Sequence, residues 1–362
     1  MSEGMEKQMD VTQILKEAVG RKASDVFIVA GLPVSFKISG NIQRVDEEKL
    51  RPEHTEQLVK EIYTLAHNRD IAAVTKGGDD DFSFSIPGVS RFRVSAYKQR
   101  GSLAAVIRVV TFELPDPKEL CIPDVVLGLA GRSKGLVLVT GPAGSGKSTT
   151  LACIIDVINR TRSAHVITLE DPLEYLHLHK KSIVSQREVM TDTESYVKAL
   201  RAALRQSPDV ILLGEMRDYE TINVAMTAAE TGHLIFSTLH TIGVANTIDR
   251  IIDAFPPNQQ HQIRVQLAMV LQAVVSQQLI PTVDGKVVPA FEVMLVNGAI
   301  RNMIRESKVH QIDSVIYSSA GEGMLSMDQS LLELYRRGII SERDALTYSA
   351  NQDMMAKKLK AL

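Results

Sequence analysis

The stretch GLVLVTGPAGSGKSTTL, residues 135–151, constrains the fold more than any other part of this chain. An apolar run leads into a glycine-rich loop and then into a helical pattern, which predicts a buried strand, a tight turn and a helix. The pattern G-x-x-x-x-G-K-[ST] is filled by Gly141, Gly146, Lys147 and Ser148. Such a unit buries its strand against neighbouring strands and helices, so the sequence predicts an α/β domain.

The residue types of this loop predict phosphate binding. Glycines allow backbone N–H groups to turn inward around phosphates, and the start of the helix adds its positive end. We expect Lys147 to reach the terminal phosphates and Ser148 to ligate Mg²⁺. The predicted nucleotide-binding residues are Gly141, Pro142, Ala143, Gly144, Ser145, Gly146, Lys147, Ser148 and Thr149. ATP or GTP with Mg²⁺ is therefore the expected ligand.

Short apolar runs alternate with helical patterns from residue 135 onward. The runs are GLVLVT, HVITLE, DVILLGE and HLIFSTLH. Continuous apolar strands separated by helices are typical of a parallel sheet covered on both faces. Beyond about residue 281 the pattern turns helical, so we assign 125–280 to the core domain and 281–362 to a helical C-terminal region.

The first hundred residues have a different pattern. Helical spacing after Asp10 is shown by Val11, Ile14, Leu15 and Ala18. Short runs rich in β-branched and aromatic residues follow, broken by Gly, Pro and Asp, and they predict a mostly antiparallel sheet with a helix near 53–66. The proline-rich segment TFELPDPKELCIPD, residues 111–124, predicts a linker. We therefore place an N-terminal α+β domain at 1–112 and the linker at 113–124.

Composition narrows the classes of function. The 362 residues suffice for two or three domains, and 41 Lys+Arg against 43 Asp+Glu give no overall attraction to nucleic acid or to acidic membranes. Cys121 and Cys153 form no C-x-x-C pair, which argues against a zinc site or a disulfide scaffold. No run approaches the roughly 18–20 apolar residues of a membrane span, so membrane association is expected only through a partner.

Acidic residues and a histidine follow the predicted strands. Glu170, Asp171 and Glu174 lie in TLEDPLE, Glu215 lies in DVILLGEMRD, and His240 ends HLIFSTLH. Carboxylates at the ends of neighbouring strands suit Mg²⁺ binding and the orientation of water, and the histidine suits a hydrogen bond to a γ-phosphate. Solvated loop carboxylates and a packing histidine are the alternatives.

Five ordered motifs carry a family resemblance. GPAGSGKSTT, TLEDPLEY, DVILLGEMRD, AAETGHLIFSTLHT and AIRNMI together resemble the secretion-type hexameric ATPases, and most closely the PilT family of type IV pilus retraction motors. The resemblance extends from about residue 24 to at least residue 315. It implies a PAS-like N-terminal domain, a flexible linker and a RecA-like ATPase core, assembled as a cytoplasmic ring of six.

The resemblance also implies roles for individual residues. Glu174 becomes the general base, Glu215 acts through Mg²⁺ and its water in an atypical Walker B motif, and His240 becomes a sensor between subunits. Arg93 and Arg108 match arginines that reach the γ-phosphate, with Arg91 as the alternative. An arginine suits this task because its planar fork matches phosphoryl oxygens. Exposed strand arginines without this role remain the alternative for both positions.

Three features favour retraction over extension within this superfamily. Extension and type II secretion ATPases are longer and usually carry a tetracysteine motif, whereas this chain has two cysteines and starts almost directly at the PAS-like domain. The segment Ala299, Ile300, Arg301, Asn302, Met303 and Ile304 departs from the AIRNLI motif of retraction motors only at Met303. An ordinary core helix would give the same apolar spacing.

The resemblance therefore implies a motor for pilus depolymerisation and twitching motility. Its expected place is the inner face of the cytoplasmic membrane near the pilus base. Its expected partners are five further copies of the chain, an inner-membrane platform protein, and accessory or antagonistic pilus ATPases. An accessory retraction paralogue, an extension or secretion motor, a nucleotide-dependent binding module and a DNA-translocating motor are the alternatives.

Overall fold

The computed structural model describes residues 10–38, 40–110 and 114–361, and the chain divides into two compact units. The first unit is Met1–Glu113 with Glu174–Leu176, and the second is Leu114–Leu173 with His177–Leu362. The predicted end of the N-terminal domain, at residues 112 and 113, lies outside the described residues. The predicted domain limits stay a prediction.

The first unit is an α+β arrangement around an antiparallel sheet. Its elements are α1 (Val11–Gly20), β1 (Asp25–Ile28), β2 (Ser35–Ile38), β3 (Asn41–Arg44), α2 (Pro52–Leu65), α3 (Ala72–Gly77), β4 (Asp79–Ile86), β5 (Ser90–Gln99) and β6 (Ser102–Val110). The strand order is β3-β2-β1-β6-β5-β4, and every pairing is antiparallel. The predicted antiparallel sheet and the helix near 53–66 are confirmed.

Helix α1 shows why the local prediction succeeds. The side chain of Asp10 accepts a hydrogen bond from Thr12 N at 3.0 Å and so caps the first turn. The four apolar residues at helical spacing, Val11, Ile14, Leu15 and Ala18, are all buried in the core of this unit. Spacing alone therefore identifies both the helix and its buried face.

The second unit begins with the elements of the phosphate-binding region. They are α4 (Asp124–Leu127), β7 (Gly135–Thr140), α5 (Lys147–Thr161), β8 (His165–Glu170), β9 (Ile183–Glu188), α6 (Tyr196–Ala203), β10 (Val210–Leu213), α7 (Tyr219–Glu230) and β11 (Leu234–Leu239). The remaining elements are α8 (Val244–Asp253), α9 (Gln260–Val270), β12 (Leu271–Pro281), β13 (Val287–Leu295), α10 (Gly298–Arg305), α11 (Ile312–Ser318), α12 (Met327–Arg336), α13 (Glu342–Tyr348) and α14 (Gln352–Lys360).

These strands form one mostly parallel sheet. Its order is β13-β12-β7-β11-β10-β8-β9, and only the pairing of β13 with β12 is antiparallel. All six residues of β7 are buried: Leu136 and Leu138 face one apolar core, and Val137 and Val139 face the other. The mixed α/β fold with a mostly parallel sheet covered on both faces is confirmed.

The start of the C-terminal region differs from the prediction. A helical pattern was expected from about residue 281, but Val287–Leu295 forms β13, which pairs with β12 over nine positions. The central residues of β13 are buried on both faces, so the strand lacks the alternating pattern that would distinguish it from a helix. Helices α10 to α14 follow β13. Among the described helices, none combines the length and the apolar character that crossing a membrane requires.

Candidate active site

The glycine-rich loop joins the end of β7 to the start of α5, and two of its glycines are fixed by close neighbours. Gly141 has φ 142°, and a Cβ there would lie 2.1 Å from the backbone oxygen of Gln277. Gly146 has φ 88°, and a Cβ there would lie 2.8 Å from Nε2 of Gln277. At Gly141 the backbone oxygen leaves no space for a side chain, and at both positions the positive φ favours glycine.

The polar groups of the loop fit a phosphate. The ammonium group of Lys147 donates hydrogen bonds to the backbone oxygens of Gly141 and Pro142, both at 2.9 Å. The hydroxyl of Ser145 is buried without a hydrogen-bond partner among the described residues. The loop therefore combines a held cation, a buried hydroxyl and the start of a 15-residue helix, and this combination suits an anionic ligand.

Glu215 and His240 meet at the carboxyl edge of the sheet. Each follows one of two neighbouring parallel strands, β10 and β11. His240 Nε2 lies 3.3 Å from one carboxylate oxygen of Glu215, and Arg217 Nη2 lies 2.7 Å from the other. The Glu215 side chain is 11% exposed, whereas His240 and Arg217 are exposed. Strand β11 also pairs with β7, so this acid and this histidine belong to the strand edge that carries the loop.

Tyr196, which no motif indicated, packs against the same edge. A Cβ at Gly214 would lie 2.7 Å from the Tyr196 hydroxyl oxygen, so the glycine before Glu215 makes room for this ring. Burial raises the pKa of Tyr196, and the negative charges of Glu215 and Asp171 raise it further. Tyr196 lies in the first turn of α6, and the sequence around it does not indicate that acidic residues lie near it in the fold.

Strand β9 holds the two residues that precede and follow the segment Glu174–Leu176 in the sequence. Leu173 N donates to the buried carboxylate of Glu188 at 3.1 Å, and His177 N donates to Gln186 Oε1 at 2.7 Å. Glu174 itself is exposed and lies beyond Asp171 and its cis peptide bond to Pro172. The polar strand β9 was not predicted, and with it the anchoring residues Gln186 and Glu188 were missed.

The predicted arginines lie together in the first unit. Arg93 on β5 and Arg108 on β6 are directly opposite each other in the antiparallel pairing. Arg91 is two residues before Arg93 and therefore on the same face of the sheet. Arg108 Nε lies 3.1 Å from Asp25 Oδ1, and the Arg108 side chain is 67% exposed. The structure thus groups Arg91, Arg93 and Arg108 on one sheet face.

The AIRNMI segment forms most of α10. Ile300 and Ile304 are fully buried, and Met303 packs against the same core while half-buried. Ala299 and Asn302 are exposed, and Arg301 is half-buried. The side chain of Asn297 caps the helix by accepting from Ile300 N at 3.1 Å. The apolar residues of this segment therefore attach the helix to the core of the second unit.

A glycine-rich phosphate loop at the end of a central parallel strand, with an acid and a histidine ending neighbouring strands, defines a P-loop ATPase. The chain belongs to the type II/IV secretion system protein family, whose sequence profile matches residues 3–330.

Named relatives cover almost the whole chain. A type IV pilus retraction ATPase, PilT, of Pseudomonas aeruginosa is 44% identical over 93% of this chain and 97% of its own length. A twitching motility protein of Neisseria gonorrhoeae is 42% identical over 96% of this chain and 92% of its own. A crystal structure of the pilus retraction motor PilT with bound ADP has a TM-score of 0.87 and 47% identity, and covers 98% of this chain and 100% of that one.

Proposed function

We propose that this protein hydrolyses ATP to drive retraction of type IV pili and thereby twitching motility. The observation that carries the proposal is the similarity to a pilus retraction ATPase over nearly the full length of both chains. The phosphate loop and the Glu215–His240 pair supply the chemical basis for hydrolysis.

We place ATP at residues 141–149, where the glycine turns at Gly141 and Gly146 and the ammonium group of Lys147 suit the binding of phosphates. Mg²⁺, which neutralises charge on the phosphates, would be held by Ser148 and, through water, by Glu215. Within the part of the chain that the structure describes, no three His, Cys, Asp or Glu side chains are grouped to hold a metal. A serine hydroxyl and a carboxylate that acts through water suit an Mg²⁺ ion that binds together with phosphates.

The remaining site residues act on the attacking water and on the γ-phosphate. Glu174, exposed after the anchored residue Leu173, acts as the general base. His240 senses the γ-phosphate. Because His240 contacts Glu215, the sensing residue is coupled to the carboxylate that orients water. Arg93 and Arg108 stabilise the charge of the transferring phosphoryl group. These roles rest on the family resemblance, on the contact between His240 and Glu215, and on the pairing of Arg93 with Arg108.

The working form is a ring of six at the inner face of the cytoplasmic membrane. The ring transmits movement to an inner-membrane platform protein at the pilus base, and other pilus ATPases oppose or assist it.

Steady-state ATP hydrolysis by the purified protein tests this proposal. We expect turnover in the wild type, loss of turnover in Lys147→Ala, and a decrease of about a hundredfold or more in Glu174→Gln, since a general base contributes about that much. Glu342→Gln is the matched control, because Glu342 is an exposed acid at the start of α13.

Three results would contradict parts of the proposal. Unchanged turnover in Glu174→Gln would exclude Glu174 as the base. Nucleotide binding without turnover by the wild type, even as a ring, would favour a nucleotide-dependent binding module. Stimulation of turnover by DNA would favour a DNA-translocating motor.

A further inference from the structure

Gln277 on β12 contacts the phosphate loop at both of its ends. Its backbone oxygen fills the space where a side chain at Gly141 would be, and its side-chain Nε2 fills the corresponding space at Gly146. Its Oε1 accepts a hydrogen bond from the Thr150 hydroxyl at 2.7 Å, one turn into α5. The residue is 3% exposed, and its neighbour Ser276 pairs with Thr140, the last residue of β7.

We propose that Gln277 is a positioning residue that sets the width of the phosphate loop. The loop leaves the sheet at Gly141 and enters the helix at Gly146, so one rigid residue against both points fixes the distance between them. The hydrogen bond to Thr150 fixes the rotation of the glutamine side chain and attaches it to the first turns of α5. Loop N–H groups can bind phosphates without reorganisation only if this distance is preset.

The polarity of this buried contact supports a positioning role. A buried amide without a hydrogen bond is costly, and an aliphatic side chain of similar volume would fill the same space without that cost. A directional pair such as Gln277 and Thr150 specifies one geometry, whereas apolar packing tolerates several. The polar pair therefore gives the loop one defined shape.

The preceding residue, Ser276, makes a contact on the other side of the sheet. Ser276 and Gln277 are adjacent on β12 and therefore face opposite sides. The hydroxyl of Ser276 accepts from Gly243 N at 3.0 Å, three residues after His240. One dipeptide of β12 thus holds the phosphate loop on one face and the segment after His240 on the other.

Strand β12 also contains a matched control. Gln272, a half-buried glutamine, packs against Gly135 at the opposite end of β7, where a Cβ would lie 2.6 Å from its Cγ. Like Gln277, Gln272 is a glutamine of β12 that contacts a glycine. Its glycine, however, lies at the end of β7 that does not carry the loop. A change at Gln272 is therefore expected to alter stability alone.

The inference rests on the proposed binding of ATP at this loop, and ADP affinity measured with the full chain tests it. We expect Gln277→Leu and Thr150→Val each to raise the Kd for ADP and the KM for ATP about tenfold, as the loss of one buried hydrogen bond would. The double variant is expected to add little, because both changes remove the same contact. Thr150→Ser, which keeps the hydroxyl, is expected to bind as the wild type does, and Gln272→Leu within about twofold of it.

The outcomes separate a positioning role from a structural one. Lower melting temperatures in Gln277→Leu and Thr150→Val with unchanged Kd values would overturn the inference. If Gln277→Leu does not fold, the comparison of Thr150→Val with Thr150→Ser decides the question by the same criterion. A wild-type protein that does not bind ADP would contradict the proposed function instead, and that result appears before any variant is made.

Discussion

Glu292 is a buried carboxylate on β13 of the second unit. Its side chain is 8% exposed, and one of its oxygens accepts a hydrogen bond from Val244 N at 3.0 Å. Burial, reinforced by the nearby charge of Asp313, raises the pKa of Glu292 to about 7. The carboxyl group is therefore disfavoured as an anion in the folded protein and anchors the start of α8, just after the His240 segment.

The raised pKa of Glu292 predicts a loss of stability with rising pH. Because the folded pKa exceeds the unfolded one, the stabilisation is complete below about pH 4 and is lost as pH rises through 7. Glu292→Gln removes this dependence and keeps an oxygen acceptor for Val244 N. We expect the free energy of unfolding of the variant, relative to the wild type, to increase between pH 5 and pH 8 by on the order of 2–3 kcal/mol. Urea unfolding at both pH values measures this difference.

The control for this prediction is Glu342→Gln, an exposed acid on the same unit, which should show no such dependence. A difference between Glu292→Gln and the wild type that stays constant from pH 5 to pH 8 would contradict the assignment.

Residues that a motif contains could be predicted, and residues that act only through the fold could not. Lys147, Glu215 and His240 were predicted because spacing and flanking strands define them. Tyr196 and Gln277 have ordinary sequence surroundings, and the partner of Gln277, Thr150, is 127 positions away. Only the pairing of β12 with β7 brings the two together.

At the scale of elements, the phosphate loop depends on a clash that only glycine avoids. We expect Gly141→Ala to weaken ADP binding at least a hundredfold, because a Cβ would lie 2.1 Å from a backbone oxygen of β12 that cannot rotate away. Gly144→Ala is the control: its φ is also positive, at 76°, but nothing lies within 4 Å of its Cβ position. Titration with a fluorescent ADP analogue measures both.

The surroundings of the two glycines predict which substitution weakens ADP binding more. Gly144→Ala has backbone strain alone, so its loss of affinity should be clearly smaller than that of Gly141→Ala. Equal losses in the two variants would show that the conformation of the loop matters and that the contact with β12 does not.

Strands that are bounded in the sequence by turn residues or helical patterns were predicted, and strands without such boundaries were not. The apolar runs of β7, β8, β10 and β11 are separated by helical patterns and turn residues. Strand β12 follows α9 without a single intervening residue, so no turn signal marks its start. Strand β9, IVSQRE, is an edge strand with polar residues and lacks the continuous apolar run of a buried parallel strand.

For the whole molecule, hydrolysis is proposed to depend on arginines of the first unit as well as on the phosphate loop of the second. We expect Arg93→Ala or Arg108→Ala to lower kcat by about a thousandfold while the Kd for ADP changes little, because an arginine on the γ-phosphate acts on the transition state. Lysine is expected to restore little, since it lacks the planar fork. Steady-state kinetics with parallel ADP titrations separate the two effects.

Arg44→Ala, at an exposed position on β3 of the same unit, is the control and should hydrolyse ATP as the wild type does. Wild-type kcat in both Arg93→Ala and Arg108→Ala would contradict the assigned role and leave Arg91 as the candidate.

The class of the whole molecule could be predicted from the sequence, and its direction of work could not be derived from physical pattern alone. The loop and the apolar strands identify a nucleotide-binding α/β core. Retraction rests on the resemblance of the full motif set and on the similarity to a pilus retraction ATPase. Nothing in the charge or packing of α10 distinguishes pulling from pushing, because its apolar residues serve the core.

Retraction is tested most directly by measuring surface piliation and twitching in a strain that lacks the gene. The strain is complemented with the wild type or with Lys147→Ala. We expect the deletion strain to carry excess surface pili and not to twitch, the wild type to restore twitching, and Lys147→Ala not to restore it. Bald cells in the deletion strain would contradict retraction and show that the motor extends pili.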